Sequence, residues 1–263
     1  MFVEIGGTFS ESDLFVGTVD AGGRLGPNDV VGFRVNAIGE TGNLEGNQLG
    51  REVVGLDALI DVRITDTLTF DLGLHYLDLT VTRYVGQLAA PREPDFIPIP
   101  LPADADRQLA QDWSERADDT IFGEAGLEWA PTQNFSIRAS AIFGEARIRT
   151  LTGDGGDLAT PSSPLYNDPS DYRVGDFIVG ALGIGVNRQH FESAFSARYS
   201  WTLGRIENTT VAFGNYNSVR DDRGFDFGDD FISNLYEPVF QPAPETMPPG
   251  PDGFSRFSEE DIS

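Results

Sequence analysis

Two histidines and two acidic clusters are the groups in this chain whose types and spacing suggest chemistry. His75 and His190 lie in separate segments, with no partner residue at the spacing of a metal site or an acid–base pair. We therefore interpret each as a histidine satisfied within a strand or loop. No cysteine is present, which excludes thiolate metal sites and disulfides. No motif for nucleophilic, zinc or phosphate chemistry occurs either, so we expect no enzyme, no cofactor and no metal centre.

The acidic clusters lie at residues 152–157 (TGDGGD) and 221–230 (DDRGFDFGDD). The carboxylate spacing of 152–157 is loosely that of a calcium loop, but the downstream Glu of an EF-hand is missing. Glycine and aspartate in this mixture favour a solvated turn or loop. A cation site is the alternative interpretation for both clusters.

Composition restricts the class of protein. The 40% of hydrophobic residues suffice for an ordered fold, yet they form no run near the roughly 18 residues that a membrane helix needs. The formal charge of -24, from 42 acidic and 18 basic residues, is opposite to that of a nucleic-acid binder. Such acidity indicates general solubility, adaptation to a salty habitat, or loops that face an outside medium rich in divalent cations. Met1 leads directly into FVEIGGTFS without a basic or apolar leader region, and we expect the chain to be truncated.

Alternation of apolar and polar residues is the clearest pattern, and it indicates β-strands whose two faces differ. Six segments show it: 31–40, 54–64, 68–76, 121–129, 135–143 and 195–203. Most segments run for about 10 to 14 residues, enough to cross a bilayer at a tilt. Residues 176–203 fit one very long strand, which we prefer, or two strands with a turn at 187–190.

The connections alternate in length. Short links are expected near 24–29, 65–67, 131–134 and 204–207, and long ones near 39–50, 81–118, 150–172 and 219–254. Short turns on one side and long loops on the other are typical of an up-and-down barrel in an outer membrane. Aromatic residues near the segment ends would suit the interfacial girdle of such a barrel: Tyr76, Trp129, Phe135, Tyr199 and Trp201.

Several motifs, in consistent order, resemble the TonB-dependent siderophore receptors of Gram-negative outer membranes. Residues 14–26 (LFVGTVDAGGRLG) and 31–37 (VGFRVNA) resemble the junction between the plug and the first barrel strands. Later similarities lie at 68–77, 95–113, 134–146, 203–216 (LGRIENTTVAFGNY) and 233–240 (SNLYEPVF). The resemblance implies that residues 1–263 form a partial barrel domain in the cell outer membrane. About nine or ten strands of a barrel of about 22 would be present, without signal peptide, plug or C-terminal strands.

The same resemblance implies a function in transport. The intact protein would bind a ferric siderophore or similar chelate on its long loops, in contact with outer-membrane lipid. It would release the chelate inward when the TonB energy-coupling protein acts through a missing N-terminal region. Nucleic acid is not an expected partner. The ligand-binding candidates are aromatic residues of the long loops: Tyr84, Trp113, Tyr166, Tyr172, Tyr236 and Phe240.

Three alternatives remain open at this point. The loop aromatics would, in the simpler interpretation, pack loop against loop. The protein as a whole could instead be a diffusive porin or another barrel without a plug, or a soluble β-protein that binds carbohydrate. Acidic loops would repel an anionic chelate at close range, so net charge alone favours a neutral or cationic chelate.

Overall fold

A computed structural model describes residues 1–10, 13–44, 49–83, 100 and 108–244. Within them one antiparallel sheet of nine strands follows chain order, each strand pairing with its neighbours in sequence. The strands are β1 (Phe2–Phe9), β2 (Phe15–Leu25), β3 (Val31–Leu44), β4 (Leu49–Thr65), β5 (Leu68–Thr82), β6 (Glu115–Thr132), β7 (Phe135–Leu158), β8 (Asp176–Leu203) and β9 (Ile206–Asn234). This order confirms the expected all-β, up-and-down arrangement.

The links between strands are sorted by length, with exceptions at the start of the chain. At one end the strands join through 26–30, 66–67, 133–134 and 204–205, close to the four short links expected. At the other end lie 83–114 and 159–175, both long. The expected long link at 39–50 is wrong, because β3 continues to Leu44 and β4 starts at Leu49. We call these the short-turn end and the long-loop end of the sheet.

The last three strands are the longest, with 24, 28 and 29 residues, and β7 and β9 are longer than expected. The preference for one strand over Asp176–Leu203 is confirmed. The prediction that loops begin near 150 and 219 is wrong, because β7 continues to Leu158 and β9 continues to Asn234. Both acidic clusters therefore lie in strands rather than in solvated loops. Backbone pairing accounts for the difference, because the ladder holds Gly and Asp extended once a neighbouring strand supplies hydrogen bonds.

The sheet has one apolar and one polar face, because residues directly opposite in an antiparallel pair point the same way. Following the register across the strands, the apolar face carries Val19, Val35, Ile60, Leu72, Leu127, Phe143 and Phe195. The polar face carries Asp20, Arg34, Asp61, Asp71, Glu128, Arg138 and Arg198. Ion pairs link neighbouring strands on the polar face, as between Arg34 and Asp20 at 2.7 Å.

Buried side chains concentrate at the long-loop end. Phe177, Val179 and Leu235 form the core there, with Leu109, Leu158 and Phe231 packed around them. Along the rest of the sheet the apolar face is open in the described part of the chain, with Ile60 44%, Leu74 43% and Phe195 49% exposed. A soluble sheet of this size would bury such a face against a second layer.

Candidate functional site

Three segments fold over the long-loop end of the sheet, and we call residues 108–114, 159–175 and 235–241 the outer loop cluster. The most deeply buried polar side chains of the described chain lie in it or at the strand ends beneath it: Gln111, Ser114, Asp176, Ser233 and Asn234. Buried polar groups need hydrogen-bond partners, and here the partners belong to different segments. The cluster is therefore a packed unit rather than a set of independent loops.

Gln111 joins the first segment to the third. Its side chain is 1% exposed and bridges two backbone positions of the third segment. Nε2 donates to the carbonyl of Val239 at 2.9 Å, and Oε1 accepts from the amide of Gln241 at 2.9 Å. The indole of Trp113 donates to the carbonyl of Gln241 at 3.0 Å. Residues 239–241 are thus held by side chains more than a hundred positions earlier in the chain.

Asp176 joins the second segment to β9. Its carboxylate, 1% exposed, accepts from the hydroxyl of Tyr166 at 2.7 Å and from the amide of Asn234 at 2.7 Å. The backbone N–H of Arg173 adds a third hydrogen bond at 2.8 Å. Asn234 in turn accepts from the backbone N–H of Tyr236 at 2.8 Å. This buried carboxylate, with its three hydrogen bonds, thereby holds the start of β8 beside the end of β9.

Tyr166 and Tyr172 pack against each other edge to face, with ring centres 6.3 Å apart. Burial, and then the hydrogen bond to Asp176, raise the pKa of the Tyr166 phenol well above its ordinary value. Burial also raises the pKa of Tyr172, with the charge of Asp176 as the second cause. Both phenols are therefore neutral at physiological pH.

The six aromatic candidates divide into groups. Tyr84 lies outside the described residues. Trp113, Tyr166 and Tyr172 are partly buried: Trp113 contacts the third segment, and the two tyrosines contact each other within the second segment. Tyr236 and Phe240 are more open, at 37% and 48% exposed. Their role in ligand binding stays a prediction.

The first segment covers part of the apolar face, at the long-loop end of the sheet. A Cβ placed on Gly153, which lies on that face of β7, would stand 3.0 Å from Cγ of Gln111 and 3.5 Å from Cη2 of Trp113. That Cβ would also stand 3.0 Å from Cγ1 of Val179, a core residue on the apolar face of β8. Trp113 therefore sits on the opposite side of the sheet from the polar face.

A patch on the polar face of β8 and β9 was missed from sequence. Phe225 and Phe227 lie opposite Ile184 and Leu182, and the four side chains share that face. The two phenyl rings contact each other edge to face, 5.5 Å between centres, and are 53% and 69% exposed. The alternation F-D-F was visible, but the surrounding Gly and Asp residues favoured a loop.

Arginines border this patch on the side toward the short-turn end. Arg188 and Arg223 both reach Oδ2 of Asp221, at 2.8 Å for Nη2 of Arg188 and 2.9 Å for Nε of Arg223. Arg116 stands across β7 from Ile184 and pairs with Asp118 at 3.1 Å. These arginines and their carboxylate partners lie beside the phenylalanines.

The two histidines have strand partners, as expected. His75 bonds through Nδ1 to Asp57 at 2.6 Å and stacks on Phe122 with 4.2 Å between ring centres. His190 bonds through Nε2 to Oδ1 of Asn217 at 2.7 Å. Within the described ranges, no group of three or more His, Asp or Glu side chains is arranged to hold a metal ion.

No protein-family model and no curated protein matches the chain. None of the helices in the described residues is long and apolar enough to cross a membrane. Solved structures do match, and the chain spans about a third of their length. The ferric preacinetobactin receptor BauA of Acinetobacter baumannii aligns with a TM-score of 0.76 and 18% identity, covering 92% of this chain and 35% of the receptor.

Two further receptors give the same result. The ferric-catecholate import receptor Fiu of Escherichia coli K12 has a TM-score of 0.73 and 15% identity, covering 97% of this chain and 35% of that one. The outer-membrane ferripyoverdine receptor of Pseudomonas aeruginosa has a TM-score of 0.65 and 10% identity, covering 87% and 29%. The sheet of this chain accordingly has the fold of part of a TonB-dependent receptor barrel.

Proposed function

We propose that this chain forms part of the barrel wall of an outer-membrane receptor that takes up a ferric siderophore with the help of TonB. Binding and transport are the whole of this activity, and no bond is made or broken in the ligand. The observation that carries the proposal is the difference between the two faces of the sheet. An open apolar face suits contact with lipid, and a charged face on the other side suits an aqueous or plug-filled lumen.

The apolar face has the dimensions of a membrane band. On β5 it runs from Leu68 to Tyr76, about 27 Å along the strand at about 3.4 Å per residue. Trp129, Phe135 and Tyr199 gather at its short-turn end, with Trp129 and Phe135 6.3 Å apart. Aromatic residues at the edge of an apolar band are typical of the membrane interface.

A row of polar residues limits this band on the long-loop side. The register places Asp78, Asp119, Arg147, Asn187 and Asp222 directly opposite one another on the apolar face of five neighbouring strands. Charged groups at the middle of a bilayer are costly, and near its edge they are tolerated. Beyond this row β7, β8 and β9 continue toward the outer loop cluster, which would lie outside the cell.

The receptors of similar fold support the ligand class, since their names state ferric siderophores or ferric catecholates as what they bind or import. Coupling to TonB would act through a region outside this chain. A diffusive porin is the competing function, and it differs in needing no energy-coupling partner.

The two faces can be tested with a matched pair of arginine substitutions on β5. Leu74 is 43% exposed on the apolar face and Leu77 is 42% exposed on the polar face, so a soluble sheet would accept arginine equally at both. In a bilayer we expect Leu74→Arg to cost about 2–4 kcal/mol and Leu77→Arg about 1 kcal/mol or less. The measurement is the free energy of unfolding in liposomes. Equal costs at the two positions would refute a lipid-facing band.

Uptake is tested in the source bacterium under iron starvation. Deleting the gene that contains this sequence should reduce accumulation of 55Fe from its ferric siderophore, and deleting the gene for the coupling protein should do the same. Loss in the first strain with full uptake in the second would establish passive diffusion and reject the receptor.

A further inference from the structure

We infer that His75 makes a pH-sensitive contact across the polar face, which joins β4, β5 and β6 when the imidazole is protonated and releases Glu124 when it is neutral. His75 lies on β5 directly opposite Asp57 of β4, and Glu124 stands diagonally across from it on β6. The inference concerns these three strands alone. It goes beyond the proposed function and does not depend on the ligand or on transport.

The two carboxylates stand at different distances from the imidazole ring. Nδ1 of His75 lies 2.6 Å from Oδ1 of Asp57, which is a hydrogen bond, whereas Nε2 lies 3.6 Å from Oε1 of Glu124, which is too long for one. Nε2 is nevertheless buried from solvent and has no hydrogen-bond partner among the described residues. A buried polar atom without a partner is costly, so this nitrogen marks a contact that remains to be completed.

The number of protons on the ring accounts for the difference. A carboxylate oxygen only accepts, so Nδ1 carries the hydrogen in the bond to Asp57. In the neutral ring Nε2 is then a bare acceptor that faces the acceptor Oε1 of Glu124, and no hydrogen bond forms between them. Protonation places a hydrogen on Nε2, and the gap of 3.6 Å can then close into a charge-assisted hydrogen bond. One proton therefore adds one bond between β5 and β6.

Neighbouring residues hold the ring and Glu124 close to the geometry of this bond. The imidazole of His75 stacks on Phe122 of β6, with ring centres 4.2 Å apart and planes inclined by 16°. Gly73 leaves room for Glu124, since a Cβ on that glycine would stand 2.7 Å from Cγ of the glutamate. Only a small movement of the Glu124 side chain is needed to complete the contact.

Other charged groups of the polar face are engaged elsewhere. Asp57 on β4 and Asp71 on β5 are acidic groups within two same-face positions of the ring, and two further acidic groups there have arginine partners. The ion pairs nearby are Asp61 with Arg24, Asp118 with Arg116, and Asp20 with Arg34 of β3. Within the described chain, the approach to His75 is the only ion pair of Glu124. The imidazole is therefore the cation with which Glu124 can pair.

Release of Glu124 changes a hollow in the polar face. The hollow has a volume of about 330 Å³, and Glu124 lines it together with Arg34 and Asp71. A neutral His75 leaves the Glu124 carboxylate available to whatever occupies the hollow, whereas a protonated His75 binds that carboxylate. Histidine side chains change charge between about pH 5 and 8, where carboxylates as a class are ionised. The charge offered to the occupant therefore depends on pH in that range.

A double-mutant cycle on the full chain in detergent micelles tests the contact. The wild type, His75→Ala, Glu124→Gln and the double variant are melted at about pH 5.5 and about pH 8, because the cycle cancels pH effects that the two substitutions do not share. We expect a stabilising coupling of about 2–4 °C in Tm at the lower pH and none at the higher pH. His190→Ala replaces His75→Ala in a control cycle. His190 lies on the same face, two strands from Glu124, and should show no coupling at either pH.

Nitrogen-15 NMR of the histidine-labelled chain needs no substitution at His75, and the chain has two histidines to resolve. At about pH 8 we expect the hydrogen on Nδ1 of His75 and a bare Nε2. At about pH 6.5, Glu124→Gln should lower the protonated fraction of His75 and leave that of His190 unchanged. A hydrogen on Nε2 at the higher pH, or a coupling that is absent at the lower pH or equal at both, would overturn the inference.

Discussion

A single carboxylate organises the outer loop cluster. Asp176 accepts hydrogen bonds from Tyr166 and Arg173 of the second loop segment and from Asn234 at the end of β9. An ionised carboxylate is costly to bury unless it is fully hydrogen-bonded, and here three donors from different parts of the chain meet it. The stability of the cluster should therefore respond sharply to the loss of any one donor.

Removing the Tyr166 hydroxyl tests this dependence. Tyr166→Phe deletes a hydrogen bond of 2.7 Å to a buried charge, so we expect the free energy of unfolding to fall by about 1.5–3 kcal/mol. Tyr172→Phe is the control, because Tyr172 packs against the ring of Tyr166 and its hydroxyl makes no hydrogen bond within the described residues. Urea unfolding in detergent and the rate of proteolysis within 159–175 report the change. Equal effects of the two substitutions would show that the bond to Asp176 contributes little.

The raised pKa of Tyr166 predicts a loss of stability in base. The unfolded phenol ionises near its ordinary value of 10.0, whereas the folded one, raised by burial and by Asp176, stays protonated to higher pH. This contribution is fully present below pH 10 and is lost as pH rises toward the folded pKa, because the unfolded state then binds fewer protons. The difference in stability between the wild type and Tyr166→Phe should shrink between pH 9 and 11. A constant difference over that range would contradict the assignment.

The sequence predicts that aromatic and polar residues lie in the long loops, but it does not predict which residues they contact. Tyr166 and Trp113 were identified from their loop positions alone, and nothing local to them indicates Asp176 or Gln241. The donors and acceptors are up to 130 positions apart in the chain and meet only when β7, β8 and β9 have paired. Phe225 and Phe227 were missed for a related reason, since Gly and Asp around them predict a loop until a neighbouring strand is considered.

The ends of the strands were predicted more accurately at the short-turn end of the sheet than at the long-loop end. Short links such as 65–67 and 204–207 were located to within a residue or two, because a tight turn needs particular residues at fixed positions. Strand ends at the long-loop end were wrong by up to fifteen residues, as at β9, which was expected to end near 219 and continues to Asn234. Under the proposed function the strands would leave the membrane band there, so the apolar alternation that marks a strand in lipid would no longer be required.

Close packing of the first loop segment on β7 gives a prediction at this scale. Valine at Gly153 would meet Gln111 and Val179 within 3.0 Å and displace the segment from the sheet. We expect Gly153→Val to cost about 1–3 kcal/mol of stability and to speed proteolysis between 108 and 114. Gly214→Val is the control, because no atom lies within 4 Å of the Cβ it would carry. Comparable costs for both glycines would indicate that the segment is not packed on the apolar face.

At the scale of the whole molecule, the sheet leaves two kinds of surface uncovered. Away from the outer loop cluster, the described residues leave the apolar face open, with Ile5 80%, Leu72 47% and Leu203 66% exposed. Within the described residues β1 pairs only with β2, and β9 only with β8, so each presents an open row of backbone donors and acceptors. Open edges pair readily with other chains, and an open apolar face drives association in water.

These surfaces predict how the isolated chain behaves. Without detergent we expect aggregation, because association would cover the apolar face that the described residues leave open to water. In detergent above its critical micelle concentration the same chain should remain dispersed with its β-sheet circular dichroism, since the micelle covers that face. Light scattering and analytical ultracentrifugation, with and without detergent, measure the difference. A stable monomer in plain buffer would mean that the apolar face is covered by the chain itself, and the lipid-facing assignment of β2 to β8 would then be wrong.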